Sequence, residues 1–187
     1  GEPDGAKTKQ YIDNIHAESL RMKELVEDML TLARAESGAK LVMEPVDLSD
    51  TALESALAFE PVAFENGRTL AYDIQPELSV SGSAMQLRRL TDILLDNAVK
   101  YAAAGTDISL LLRREGRSAV LQVENKGETI PPEKLPHLFD RFYRADESRT
   151  GGEGFGLGLA IAQSIAQTHG GSIGCTSAEG VTRFTVT

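Results

Sequence analysis

The chain has 187 residues, 41% hydrophobic and 25% charged, with a formal net charge of −9. That predicts an ordinary globular protein with a buried core, and the acidic balance excludes a broad nucleic-acid-binding surface. The single cysteine, Cys175, excludes an internal disulfide and points to a reducing compartment; there is no signal-peptide core at the start and no apolar run long enough to span a membrane.

The first predicted element is a long helix over residues 7–37, free of proline and glycine and ended by Gly38. Its apolar residues Ile12, Ile15, Met22, Leu25, Val26, Met29, Leu32 and Ala33 fall at mixed spacings of three and four. They make one narrow stripe, suited to docking on a partner helix. A short strand is expected over 41–46, then a helix over 48–66 capped from the Asp47-Leu-Ser-Asp stretch. Asn66-Gly67 signals a turn into a strand over 68–74. The next helix, over 83–103, turns Leu87, Leu90, Leu94 and Ala98 to the core. Alternation predicts strands over 107–113 and 118–124, joined as a hairpin at Glu115-Gly116. A proline-rich loop leads to the glycine run of 151–158 and a helix ending near His169, and a last hairpin pairs 171–177 with 181–187 through Ala178-Glu179-Gly180. The order predicts an α+β fold: a two-layer sandwich of a mixed, antiparallel-rich sheet and about three helices, preceded by one long helix.

Four clusters carry candidate chemistry. Gly154, Gly156 and Gly158 open a helix and leave backbone N–H groups uncovered, which suits an anion. The run matches neither G-x-G-x-x-G, since Leu159 stands where the third glycine belongs, nor a P-loop, since no Gly-Lys-Ser/Thr follows. On these grounds alone a flexible loop ending in a helix explains it as well. Asn97, Lys100 and Tyr101 share one helix face and offer a hard-cation ligand, a phosphate partner and an aromatic surface. The stretch ENKGETIPPE (124–133) leaves a strand edge with Gly127 at a turn, and LFDRFYR (138–144) spaces two aromatics by three residues with arginines between and after them.

Taken together, these motifs resemble the catalytic ATP-binding domain of a sensor histidine kinase of two-component systems. LLDNAVKYA (94–102) resembles its N box, VENKGETIP (123–131) its first glycine box, LFDRFYRADESR (138–149) its F box, and GFGLGLAIAQSIAQTHGG (154–171) its second glycine box. MKELVEDMLTLARAESG (22–38) is similar to the second helix of the dimerisation and histidine-phosphotransfer domain. The resemblance implies a Bergerat ATP-binding fold over residues 39–187, with residues 1–38 as that second helix. It implies ATP and Mg²⁺ as cofactors, with Asn97 as the metal ligand, Lys100 on the phosphates, and Tyr101 by the adenine or ribose. Asn125, Gly127, Thr129 and Ile130 would form the base pocket. Gly154, Phe155, Gly156, Leu157 and Gly158 would wrap the phosphates under a lid of about 145–152, with Arg144 approaching the terminal phosphate.

Three departures stand out. Asn125 replaces the family's aspartate, Thr129 replaces the second glycine of its box, and Ile93 replaces the first asparagine of the N box. In related gyrase and chaperone ATPases that last position holds a water-activating glutamate. Ile93 cannot activate water, so slow intrinsic hydrolysis is expected and transfer to another nucleophile is favoured. The family's acceptor histidine sits on the first dimerisation helix in a motif that His16, His137 and His169 do not match. The resemblance therefore implies no acceptor among residues 1–187 and no self-phosphorylation. The implied partners are the helix carrying that histidine, a second protomer and a response regulator, with no nucleic acid and no membrane contact by these residues. The implied location is cytoplasmic, in a parent anchored to the membrane. The alternative is a degenerate nucleotide-binding scaffold or signalling module with weak or no ATP binding.

Overall fold

The computed structural model describes residues 5–36, 42–145 and 155–187. The expected helix stop at Gly38, the residue Leu41, Gly154 and nearly all of the expected lid lie outside these residues. The elements run α1 (Gly5–Glu36), β1 (Glu44–Asp47), α2 (Leu48–Glu65), β2 (Thr69–Ile74), β3 (Ser79–Gly82), α3 (Ala84–Tyr101), β4 (Asp107–Glu115), β5 (Ser118–Lys126), a 3₁₀ turn (Leu135–His137), α4 (Gly158–Thr168), β6 (Ile173–Ala178) and β7 (Val181–Val186). The main sheet has the order β2-β4-β5-β7-β6, parallel between β2 and β4 and antiparallel elsewhere. This is the α+β sandwich with a mixed sheet and three helices that the element order predicts. Strand β3, which pairs only with β1, is the element that sequence reading misses.

Local chemistry explains the boundaries. The Asp47 carboxylate accepts the Asp50 N–H at 3.0 Å and caps α2. At the β6–β7 turn, Ala178 pairs directly with Val181, and Glu179 and Gly180 take φ of 51° and 77°. Positive φ at both positions marks the turn whose twist matches the strands.

One face of the sheet buries Ile108, Leu110, Leu112, Leu121 and Val123 against Leu90, Leu94, Leu95 and Ala98 of α3 and Ile161, Ile165 and Ala166 of α4. Each such leucine or isoleucine contributes about 1.5–3 kcal/mol relative to exposure. The period-two alternation of β5 carries Asn125 onto the same face as Leu121 and Val123, so a polar side chain ends up 4% exposed.

His169 fastens α4 to the start of α3. Its Nδ1 pairs with the Ile165 carbonyl at 2.8 Å, and its Nε2 accepts the Ser83 N–H at 3.0 Å. Ser83 is the cap residue of α3 and makes no side-chain cap of its own. His169→Leu leaves that N–H without its partner and is expected to cost about 1–3 kcal/mol, read as a lower melting temperature.

The α1 stripe divides. Leu25 and Leu32 pack on the core, whereas Ile12, Ile15, Met22, Val26 and Met29 are all more than half exposed. The Asp28 carboxylate on α1 also pairs with the Arg89 guanidinium on α3. Burial raises the Asp28 pKa above the ordinary carboxylate value, and the charge and hydrogen bond of Arg89 offset this only in part. Removing the cation by Arg89→Gln is expected to cost about 1 kcal/mol near neutral pH, discounted for the partial exposure of the pair. The cost fades as the pH falls and Asp28 takes up a proton, which melting curves across the carboxylate range would resolve.

Candidate active site

A cleft of about 1320 Å³ opens between α3, the outer end of β5, the loop after it and the start of α4, with α1 along one rim. The sequence-derived residues Asn97, Lys100, Tyr101, Asn125, Gly127, Thr129, Ile130, Arg144, Phe155, Gly156 and Gly158 all line it. Leu157 does not: its side chain is 1% exposed within the core, where it anchors the loop. Gly154 lies outside the described residues.

Helix α3 carries Asn97 and Lys100 into the cleft. The Asn97 amide nitrogen donates to the Ile93 carbonyl at 2.8 Å, which leaves Oδ1 as the atom available to a ligand. Among the described residues no cluster of three or more His, Cys, Asp or Glu side chains could hold a metal ion. One amide oxygen nevertheless fits Mg²⁺, which keeps much of its shell as water and substrate phosphate. The Lys100 ammonium sits 2.6 Å from the Asp96 carboxylate one turn earlier. That pair is exposed enough to be weak, so Lys100 can exchange Asp96 for a phosphate oxygen. Sequence reading overlooks Asp96 as its partner, although the i, i+4 spacing carries the signal.

The start of α4 fits an anion. Leu157, its cap residue, makes no side-chain hydrogen bond to the first turn, so the helix amides stay open. Ile93 packs beneath, where a Cβ on Gly158 would lie 3.4 Å from its Cγ2. Gly156 has φ of 72°, and a Cβ there would meet the Tyr143 carbonyl oxygen at 2.7 Å and the Phe142 carbonyl carbon at 2.8 Å. The Phe142 N–H donates to the Gly156 carbonyl at 2.9 Å, with Phe142 itself at φ 62°. The two sides of the expected lid are thus tied by backbone at its base, while Lys134 holds the Ala145 carbonyl at 2.7 Å. Phe139 stacks edge-on against Phe184 of β7, with centroids 6.4 Å apart, and pins the F-box segment to the sheet.

On the sheet side, β5 and β7 pair Asn125 with Thr182. Thr182, 6% exposed and unnoticed in the sequence, shares a hydrogen bond with Ser177 at 2.8 Å, and Ser177 also accepts the Ile130 N–H at 2.9 Å. Thr129 turns its hydroxyl to the Gly180 N–H at 2.8 Å, so its added bulk braces the β6–β7 turn. Gly127 has no room for a side chain, because a Cβ would lie 2.4 Å from the Tyr101 carbonyl oxygen.

Of the three histidines, none lines the cleft. His16 is exposed on α1, His137 pairs with Asp140 at 2.8 Å, and His169 is engaged by Ser83 and Ile165.

The family model described as "Histidine kinase-, DNA gyrase B-, and HSP90-like ATPase" matches residues 82–187, more than half of the chain. The chain belongs to this family. A second family model, "His Kinase A (phospho-acceptor) domain", matches residues 2–38, which include α1. Among relatives, the sensor histidine kinase CusS of Escherichia coli K12 is 39% identical over 173 residues, covering 91% of this chain and 36% of CusS. The sensor histidine kinase TrcS of Mycobacterium tuberculosis is 37% identical over 184 residues, covering 96% of this chain and 36% of TrcS. The chain spans less than half the length of the curated relatives it matches, reaching 42% for a streptococcal sensor protein, DltS. Full-length ShkA, solved in complex with AMPPNP, superposes with a TM-score of 0.83 at 25% identity over 96% of this chain and 38% of that one. The histidine kinase AdeS of Acinetobacter baumannii shares the fold, with a TM-score of 0.76 at 23% identity over 100% of this chain and 85% of that one. The chain is therefore the ATP-binding catalytic region of a two-component sensor histidine kinase. Among its described residues no helix is long and apolar enough to cross a membrane.

Proposed function

We propose that this histidine-kinase region binds MgATP in the α3–α4 cleft and donates the γ-phosphoryl group to a histidine outside residues 1–187, for relay to a response-regulator aspartate. The observation that carries this reading is the convergence of Asn97 Oδ1, Lys100, Arg144 and the uncapped start of α4 on one cleft. Mg²⁺ and the nucleotide supply the charge and the transferable group. The protein's part is to hold and shield them. Asn97 ligates the cation, Lys100 leaves Asp96 for the phosphates, and Arg144 meets the terminal phosphate. Gly154, Gly156 and Gly158 offer backbone amides, while Tyr101 and Ile130 flank the base. Ile93, lying under Gly158, offers no base for water, which favours retention of the phosphoryl group over hydrolysis.

Residues 1–38 act as the second helix of the dimerisation and phosphotransfer domain. Its exposed Ile12, Ile15, Met22, Val26 and Met29 meet the acceptor helix and a second protomer. In the parent protein the region works on the cytoplasmic side of a membrane anchor. Titration calorimetry with AMPPNP tests the nucleotide site. Micromolar binding that needs Mg²⁺ is the expected result, and absent binding would favour the degenerate scaffold suggested by Asn125, Thr129 and Ile93.

A further inference from the structure

The cleft wall contains two buried polar residues among those described, Asn125 and Thr182, and neither is charged. The Thr182 hydroxyl is already shared with Ser177. Asn125 is 4% exposed and lines the cleft, and its carboxamide makes no hydrogen bond to another of the described residues. Its polar atoms are not sealed within the core, so both are available to a ligand in the cleft. The nucleotide-binding reading above assigns the phosphates to Lys100, Arg144 and the start of α4. The flat, apolar part of a nucleotide, its base, is then left the part of the wall formed by Asn125, Ile130 and Phe184.

A carboxamide presents one acceptor and one donor side by side. The edge of adenine at positions 6 and 1 presents the complement, an amino donor beside a ring acceptor. In a 6-oxopurine, such as hypoxanthine or guanine, the same edge is inverted, with a carbonyl acceptor beside an N–H donor. Half a turn of the amide about its terminal torsion converts one match into the other. That torsion is broad and nearly two-fold, and no bond to another of the described residues fixes it here. A site of fixed polarity rejects the wrong edge because buried groups are then left unpaired, whereas a free amide leaves none.

We propose that this nucleotide site accepts 6-oxopurine nucleotides as well as adenine nucleotides, with Asn125 reading both edges. The proposal rests on the nucleotide-binding reading above, and the test separates the two. ADP and IDP are titrated in the presence of Mg²⁺ into the unaltered chain and into Asn125→Leu. IDP lacks the 2-amino group of guanine, so it isolates the edge that Asn125 reads. The expected result is an IDP dissociation constant within about tenfold of that for ADP, with both weakened about tenfold or more by Asn125→Leu. IDP binding a hundredfold or more weaker than ADP would overturn the proposal, as would an IDP affinity that Asn125→Leu leaves unchanged. Failure of both nucleotides to bind would overturn the nucleotide site itself.

Discussion

Asn97→Ala is expected to weaken Mg²⁺-dependent nucleotide binding by about a hundredfold, close to 2.7 kcal/mol. The substitution removes the amide oxygen proposed to ligate the cation, and among the described residues no cluster of three or more His, Cys, Asp or Glu side chains could take over. Its Nδ2 bond to the Ile93 carbonyl lies within one turn of α3, and alanine is the better helix former. The fold should therefore survive, with a melting temperature within about 3 °C of the unaltered chain. Calorimetry with and without Mg²⁺ gives the affinity and a thermal melt gives the control. Equal Mg²⁺-dependent affinity in the variant would place the metal elsewhere.

Gly127→Ala should damage the fold and the site together. The new methyl group would sit 2.4 Å from a backbone oxygen, that of Tyr101, and no flexible side chain can give way. Backbone hydrogen bonds pin both sides: Ala103 donates to Lys126 at 2.7 Å, and Gly127 donates to Gly180 at 2.8 Å. The Arg68 Nε adds a bond to the Ala102 carbonyl at 3.0 Å. Parting α3 from β5 at this point is expected to cost about 3 kcal/mol, a fall in melting temperature of roughly 6–12 °C. Nucleotide affinity should drop with it, since Tyr101 and Asn125 stand on the two parted elements. Gly174, on β6, has nothing within 4 Å of its Cβ position, so Gly174→Ala should stay within about 0.5 kcal/mol.

Much of this fold is legible in the sequence because its signals are periodic. The leucines of α3 and the alternation of Ile108, Leu110 and Leu112 each mark one buried face. Strand β3 lacks such a signal: it is four residues long, with one apolar side chain, Val80, and it exists because β1 lies beside it. The site divides in the same way. Asn97, Lys100 and Tyr101 are read from a helix face, and the glycines from their clustering. Thr182 could not be found, because its place beside Asn125 depends on the register of two strands 57 positions apart. Asp28 and Arg89, 61 residues apart, are likewise joined only by the packing of α1 on α4, which brings Asp28 to α3. Leu157 differs from its neighbours in the glycine box: Phe155, Gly156 and Gly158 line the cleft, whereas the Leu157 side chain turns into the core.

The central claim is that this region holds ATP for transfer to a histidine it does not itself carry. The most direct measurement mixes it with Mg²⁺, γ-labelled ATP and a separate protein bearing the acceptor helix, then follows the label. The account predicts acid-labile phosphohistidine on the added protein, none on residues 1–187, and loss of the signal with Asn97→Ala. Nucleotide binding without any transfer to that protein, or label appearing on His16, would contradict it.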